Sequence, residues 1–198
     1  MNWTTGFLLA TVVALSACAA ERPIVDYAQF AKADPRLRPY RIGVADSVRV
    51  TVWKDPSLST EAPVRPDGTL TVPLIGDVAA AGRTADEVRE ELTRRLSAYV
   101  KDAIVTVAVV EVNSYRFTVS GNVERPGMFT ERSYVTVSEA VALAGGPNRF
   151  ASPTDLVLIR PIVGREPTRI PIDLEAILSG AHPEQNLVVL SGDTVLVP

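Results

Sequence analysis

Residues 64–84 read VRPDGTLTVPLIGDVAAAGRT, and the punctuation of this stretch decides the fold class. Pro66, Asp67, Gly68, Pro73, Gly76 and Gly82 interrupt alternating apolar residues, the pattern of short strands and tight turns. Asp67-Gly68 is a strong hairpin signal, because a type I′ turn needs positive φ at both central positions. Thr69–Leu74 then reads as the returning arm, with Pro73 suited to an edge because it has no N–H to give a ladder. Thr84-Ala85-Asp86-Glu87 follows directly as a capping box, in which Thr84 accepts from the N3 amide while Glu87 reaches back to the cap. Behind it Ala85, Val88, Leu92, Leu96 and Tyr99 recur at three- and four-residue spacings, one apolar stripe on a helix of about four turns. Glu90, Glu91, Arg94 and Arg95 fall on its other faces and read as a solvated surface.

Working outward, Val48, Val50 and Val52 alternate with Arg49 and Thr51, the period-two sign of a half-buried strand. Asp55-Pro56 ends it. Downstream, IVTVAVVEV from Ile104 to Val112 reads as a buried strand. Residues 40–112 therefore form one block of strand, hairpin, helix and strand. A second block, 113–198, restarts with Tyr115, Phe117 and Val119 alternating against Arg116, Thr118 and Ser120. Pro126-Gly127 predicts a type II turn. Thr136-Val137-Ser138-Glu139 is a second capping box, and its helix stops at Gly145-Gly146-Pro147, a left-handed cap followed by a residue that cannot continue the helix. Strands follow at Leu156–Arg160, Arg169–Ile172 and Thr194–Val197. This order suits an α+β chain whose second block is a β-grasp fold. Gly76–Gly82 and Gly121–Gly127 share the pattern G-[DN]-V-x-x-x-G, each before a Thr-x-x-Glu helix start. The echo fits duplication less well than it fits two blocks meeting the same strand-turn-helix problem.

The chain has 198 residues, a formal net charge of −3 and 46% hydrophobic residues. That balance offers no basic field for a nucleic-acid backbone, so no nucleic-acid partner is expected. A single Cys excludes an internal disulfide framework and metal sites built on paired cysteines, and a single His excludes a His-rich metal centre. The N-terminus is the exception to an ordinary globular composition. MNWTTGFLLATVVALSAC has an uncharged apolar run from Gly6 to Leu15, too short to span a bilayer but suited to a secretory signal. The run ends in Leu15-Ser16-Ala17-Cys18, which resembles the lipobox of bacterial lipoproteins. On that reading residues 1–17 are removed, Cys18 is lipidated, and Ala19 after it points to the outer membrane. Ordinary cleavage at Ala17-Cys18-Ala19 and an uncleaved structural Cys remain the competing readings. The n-region departs from the pattern in having no Lys or Arg. Residues 18–39 read as a tether, with a short helix around Tyr27–Ala33.

The acids offer no evident catalytic pair. Asp46, Asp55, Asp67, Asp77 and Asp193 each sit beside Gly, Pro or Ser, where turn hydrogen bonds explain an aspartate without catalysis. His182 precedes Pro183 in a polar loop, and Gly82-Arg83-Thr84 lacks the Lys and the spaced first Gly of a P-loop. No enzyme, cofactor or metal is expected.

YRIGVADSVRVTVWKDPSLS, VRPDGTLTVPLIGDVAAAGRT, VSGNVERPGMF, ALAGG and the final SGDTVLVP occur in the order seen in the Wza-like outer-membrane polysaccharide export family, which the chain resembles from Tyr40 to Pro198. The first two look like its polysaccharide-export domain; the others look like a soluble-ligand-binding β-grasp (SLBB) domain. The residues carrying the likeness are Gly43, Asp46, Asp67, Gly68, Pro73, Gly76, Gly82, Gly121, Pro126, Gly127, Gly145, Gly146, Gly192 and Asp193. At Ile42–Asp46 the family usually has Pro-Gly before the Asp, whereas this chain has Val44-Ala45. The resemblance implies an outer-membrane lipoprotein with its body in the periplasm, assembled as a homo-oligomeric ring around a polysaccharide chain in transit. It also implies an inner-membrane polysaccharide copolymerase as partner. Long family members end in an amphipathic helix that crosses the outer membrane. Its counterpart is missing here, so a short form working with a separate outer-membrane pore protein is expected. The rival expectations are a periplasmic glycan-binding module that forms no conduit, and a glycan-processing enzyme.

Overall fold

The computed structural model describes residues 25–32 and 34–198. Cys18 and the expected signal at 1–17 lie outside the described residues. A short helix α1 (Tyr27–Ala31) and a 3-10 turn (Pro35–Leu37) precede the first block. That block contains strands β1 (Ser47–Val52), β2 (Thr60–Pro63), β3 (Thr69–Val72) and β4 (Gly76–Ala79), helix α2 (Ala85–Leu96) and strand β5 (Val105–Glu111). Strand β1 is the centre of an antiparallel sheet ordered β2-β1-β5, and β3 and β4 form a separate hairpin. Alternation on β1 buries Val48, Val50 and Val52 against Leu70, Val72 and Val78 of the hairpin and Val88, Leu92 and Leu96 of α2. The cap of α2 has both halves of the box, with Glu87 N–H donating to Thr84 Oγ1 and Thr84 N–H to Glu87 Oε2.

The second block contains β6 (Arg116–Gly121), β7 (Gly127–Thr130), α3 (Val137–Leu143), β8 (Leu156–Ile162), β9 (Arg165–Ile172), α4 (Leu174–Ser179) and β10 (Thr194–Val197). Its sheet is ordered β7-β6-β10-β8-β9. The central pair β6 and β10 runs parallel, with a hairpin on either side and helices on the inner face, which is the β-grasp arrangement. Phe117, Val119, Leu156, Leu158, Ile170, Ile172, Val195 and Val197 supply the sheet side of the core, and Val137, Ala140 and Val141 the α3 side. Gly121 is held close to β10: its φ is +92° and a Cβ there would collide with the Val197 carbonyl oxygen. Helix α3 ends in a Schellman motif, with Gly146 N–H donating to Val141 O and Gly145 N–H to Ala142 O.

Several local expectations differ from the structure. Only Gly68 of the Asp67-Gly68 pair has positive φ. Pro66 sets an Arg65–Gly68 turn, closed by Gly68 N–H to Arg65 O at 2.8 Å, so the left-handed residue follows the turn rather than sharing it. The laddered hairpin of this stretch is instead β3–β4, whose turn holds Leu74 at φ +70°. Pro126-Gly127 is not a type II turn: Gly127 lacks the required positive φ and opens β7 opposite Val119. The Ile104–Val112 strand is not buried on both faces. It is an edge strand, with Val105 buried but Ile104 63% and Val110 41% exposed, because the sheet is covered on one side only. Helix α2 ends at Leu96, leaving Tyr99 outside it and 64% exposed. Helix α4, capped by Asp173, is an element the sequence reading lacked.

The segment expected to be a tether is partly packed. Val25, Tyr27 and Phe30 lie against the second core, and Tyr27 donates its hydroxyl hydrogen to Pro171 O at 2.7 Å. The chain thus touches the second block before it builds the first.

A pinned junction and its groove

Asp46 and Asp193 are the two buried charged side chains among the described residues, and both occupy the last position of the same four-residue turn. In Gly43–Asp46 the Asp46 N–H reaches Gly43 O at 3.4 Å, while Gly43 N–H donates to Asp46 Oδ2 at 2.7 Å. In Leu190–Asp193 the Asp193 N–H reaches Leu190 O at 3.1 Å, while Leu190 N–H donates to Asp193 Oδ2 at 2.7 Å. The third residue is left-handed in each, Ala45 at φ +75° and Gly192 at φ +87°. Each turn then feeds a strand, Ser47-Val48-Arg49-Val50 or Thr194-Val195-Leu196-Val197. Ala45 in the first turn takes the left-handed position that Gly192 takes in the second.

The two carboxylates spend their remaining lone pairs differently. Asp193 receives the Arg160 guanidinium on both oxygens, at 2.7 Å for the shortest contact. Asp46 Oδ1 accepts the backbone N–H groups of Asn113 and Ser114, both at 2.8 Å, and Oδ2 accepts the Tyr40 hydroxyl at 2.5 Å. Asn113 and Ser114 are where the chain leaves β5 for β6, so Asp46 fastens the crossing between blocks. Gly43 lies so close to Ser114 that a side chain on it would collide. Burial pushes the Asp46 carboxyl up, but the Tyr40 hydroxyl and the Gly43, Asn113 and Ser114 N–H groups outweigh it and hold it below the ordinary carboxylate range. Burial, and then the bond to Asp46, push the Tyr40 phenol well above its usual value.

Above this junction lie two adjoining hollows of about 230 and 370 Å³ that share Tyr40, Tyr115 and Tyr134. Tyr115 is fixed from beneath. It donates to Val189 O at 2.9 Å, accepts from Val135 N–H at 3.2 Å, and meets the Tyr134 ring edge-on with centroids 4.8 Å apart. Its burial pushes the phenol up to about 12. Arg36 and Arg132 line the first hollow, Arg41 and Arg116 the second, and no Asp or Glu lines either. Asp34 engages Arg36 at 2.8 Å, and Glu87 stands 3.6 Å from Arg41. Arg116 and Arg132 form no ion pair among the described residues.

The residues singled out from sequence fall into four places. Gly43, Asp46 and Gly82 meet at the junction, where Gly82 N–H donates to Ile42 O at 2.8 Å. Gly192 and Asp193 form the twin turn in the second block. Gly121, Pro126 and Gly127 belong to a loop lying against the Gly145-Gly146 helix end, through Glu124 N–H to Gly146 O and Arg125 N–H to Ala144 O. Asp67, Gly68, Pro73 and Gly76 shape the β3–β4 hairpin. Asp67 there accepts from the Thr69 N–H and hydroxyl, and Asp77 from Thr71 and Arg65. The sequence reading missed Tyr40, Tyr134, Arg132 and Ala45. The repeated [AG]-D-[ST]-V-x-V signature of the twin turns could have revealed Ala45. Among the described residues, no three His, Cys, Asp or Glu side chains come together as metal ligands, and no helix is long and apolar enough to cross a membrane.

A family model described as polysaccharide biosynthesis/export protein matches residues 34–110, and an SLBB domain model matches residues 116–171. The chain is 30% identical over 186 residues to the EPS I polysaccharide export outer membrane protein EpsA of Ralstonia nicotianae, covering 82% of this chain and 48% of that protein. It is 34% identical over 125 residues to the exopolysaccharide production protein ExoF of Rhizobium meliloti, covering 58% of this chain and 30% of that protein. To the capsule polysaccharide export outer membrane protein CtrA of Neisseria meningitidis it is 32% identical over 130 residues, 65% of this chain and 31% of that protein. The chain therefore spans half or less of the length of these relatives.

Proposed function

The chain belongs to the polysaccharide biosynthesis/export family, and from that premise we propose that it is a non-catalytic periplasmic component of a passage for capsular or extracellular polysaccharide. The observation that carries this reading is the two family domains in order, fastened to each other through Asp46 rather than strung on a loose linker. A passage needs subunits that hold one shape, and a junction closed by backbone donors on a buried carboxylate supplies it. The body works in a homo-oligomeric ring around the polymer, tethered to the outer membrane by a lipidated Cys18, and receives chain from an inner-membrane copolymerase. Closed cyclic symmetry lets one heterologous interface repeat until the ring shuts.

Electron microscopy of the detergent-solubilised full-length protein tests the ring. Closed rings are the expected result; persistent monomers that bind glycan tightly would favour a glycan-retaining module instead. Deletion of the gene should stop surface polymer while intracellular polymer persists. Unchanged surface polymer would refute the export role.

A further inference from the structure

We propose that the groove over the Asp46 junction is a binding site for an anionic sugar unit, one carrying a carboxylate, between the tyrosines and the unpaired arginines. This rests on the export reading for the choice of a glycan. Three observations give the site its chemistry. First, aromatic rings line both hollows, and the ring face, negative by its quadrupole, suits the C–H face of a pyranose. Tyr115, itself buried, is held by bonds to Val189 and Val135 and meets Tyr134 edge-on, so the half-buried Tyr134 ring is set before any ligand arrives, with Tyr40 as the other ring partly open to the groove. Secondly, the sign of charge is uniform. A chain with net charge −3 places arginine in both hollows and no carboxylate in either lining. Arg132 and Arg116 are left without an ion pair among the described residues, one in each hollow, and a guanidinium presents a fork that matches a carboxylate. Thirdly, each hollow is small, about 230 and 370 Å³, at or below the low end of usual ligand sites. The groove therefore grips one or two rings and leaves the rest of a polymer outside. A site that holds so little of a chain releases it readily, which suits successive units passing over it.

Isothermal titration of the full-length protein with tetragalacturonate, against maltotetraose as a neutral probe of equal length, tests the site. Tetragalacturonate should bind, weakening as salt screens the arginines, and maltotetraose should not. Arg116→Gln with Arg132→Gln should weaken tetragalacturonate binding at least tenfold with an unchanged melting temperature, since both side chains are exposed. Ser133→Asp, which adds a like charge to the hollow without removing an arginine, should weaken it also. Binding unaffected by these variants, equal binding of maltotetraose, or no binding of tetragalacturonate at about 10 mM would each overturn the proposal. Rings that export polymer yet fail to bind tetragalacturonate would sink this site and leave the export reading standing. Binding that depends on Arg116 and Arg132 in a protein that forms no ring would support the site and count against the conduit.

Discussion

Replacing Ala45 with Gly should stabilise the protein, although it removes a methyl group and touches nothing. Ala45 sits at φ +75°, where an L-residue costs about 1–2 kcal/mol relative to the right-handed region. Glycine escapes that cost but loses about 0.4–1 kcal/mol more through the freedom of its unfolded chain. The contacts that hold position 45 are backbone ones, Ala45 N–H to Val64 O at 2.9 Å and Asn113 Nδ2 to Ala45 O at 3.3 Å, and both survive the change. The residue is exposed, so the lost methyl forfeits little burial. The balance is a gain of about 0.5–1 kcal/mol, or some 1–4 °C in melting temperature for a chain of this size. Its twin provides the opposite sign. At Gly192, φ +87°, a Cβ would meet Pro161 Cγ at 3.5 Å, an ordinary contact, so Gly192→Ala should lose a similar amount through conformation alone. Urea unfolding followed by far-ultraviolet circular dichroism reads both. A loss of 1 kcal/mol or more in Ala45→Gly, or two variants moving the same way, would refute the argument that the twin turns impose one backbone shape.

Asp46→Ala takes the acceptor from three backbone N–H groups and leaves the Tyr40 hydroxyl only Ser114 Oγ at 3.1 Å, and should cost about 3–5 kcal/mol in urea unfolding; a cost below 1 kcal/mol would mean water replaces the carboxylate freely. Because the folded Asp46 carboxyl lies below its unfolded value, its contribution is complete above about pH 4 and fades as pH falls through the folded value. The stability gap between wild type and Asp46→Asn should therefore narrow from pH 5 to pH 2. Asp34, Asp67, Glu91 and Glu139 are lowered too, so the variant's acid limb should flatten in part, not vanish. Thr84→Ala removes an acceptor for the Glu87 N–H and should cost about 1 kcal/mol, with Thr84→Ser recovering most of it. Gly121→Ala forces a Cβ onto Val197 O and should disorder the β6–β10 pair, seen as lost protection of the Val119 and Val195 amides in hydrogen exchange.

What could be read from sequence was what local physics controls. The Thr84–Glu87 box, the Val88–Leu92–Leu96 stripe and the Gly145-Gly146 stop depend on residues within one or two turns of each other, and each is present. Turn type was harder. Pro66 and Asp67-Gly68 make overlapping demands on the same backbone, and the proline's fixed φ displaced the turn by one position. The burial of β5 could not be read because an apolar run has the same composition whether one face or two are covered. The groove was out of reach for a different reason. Tyr40, Ser114 and Tyr134 are brought together only by the crossing between blocks, and no spacing in the sequence encodes that meeting.

The placement of β10 has a consequence for the order in which this protein can be made. Its residues are the last to be synthesised in the second block, yet they fill the middle of the sheet, between β6 and β8. Until residue 197 has emerged, β6 with its hairpin partner and β8 with its own are two ribbons with unfilled edges facing each other. The contact that joins them spans 76 residues, Thr118 to Thr194, and such long-range pairing is slow to form. A nascent chain is therefore held back from completing this block until synthesis has passed it.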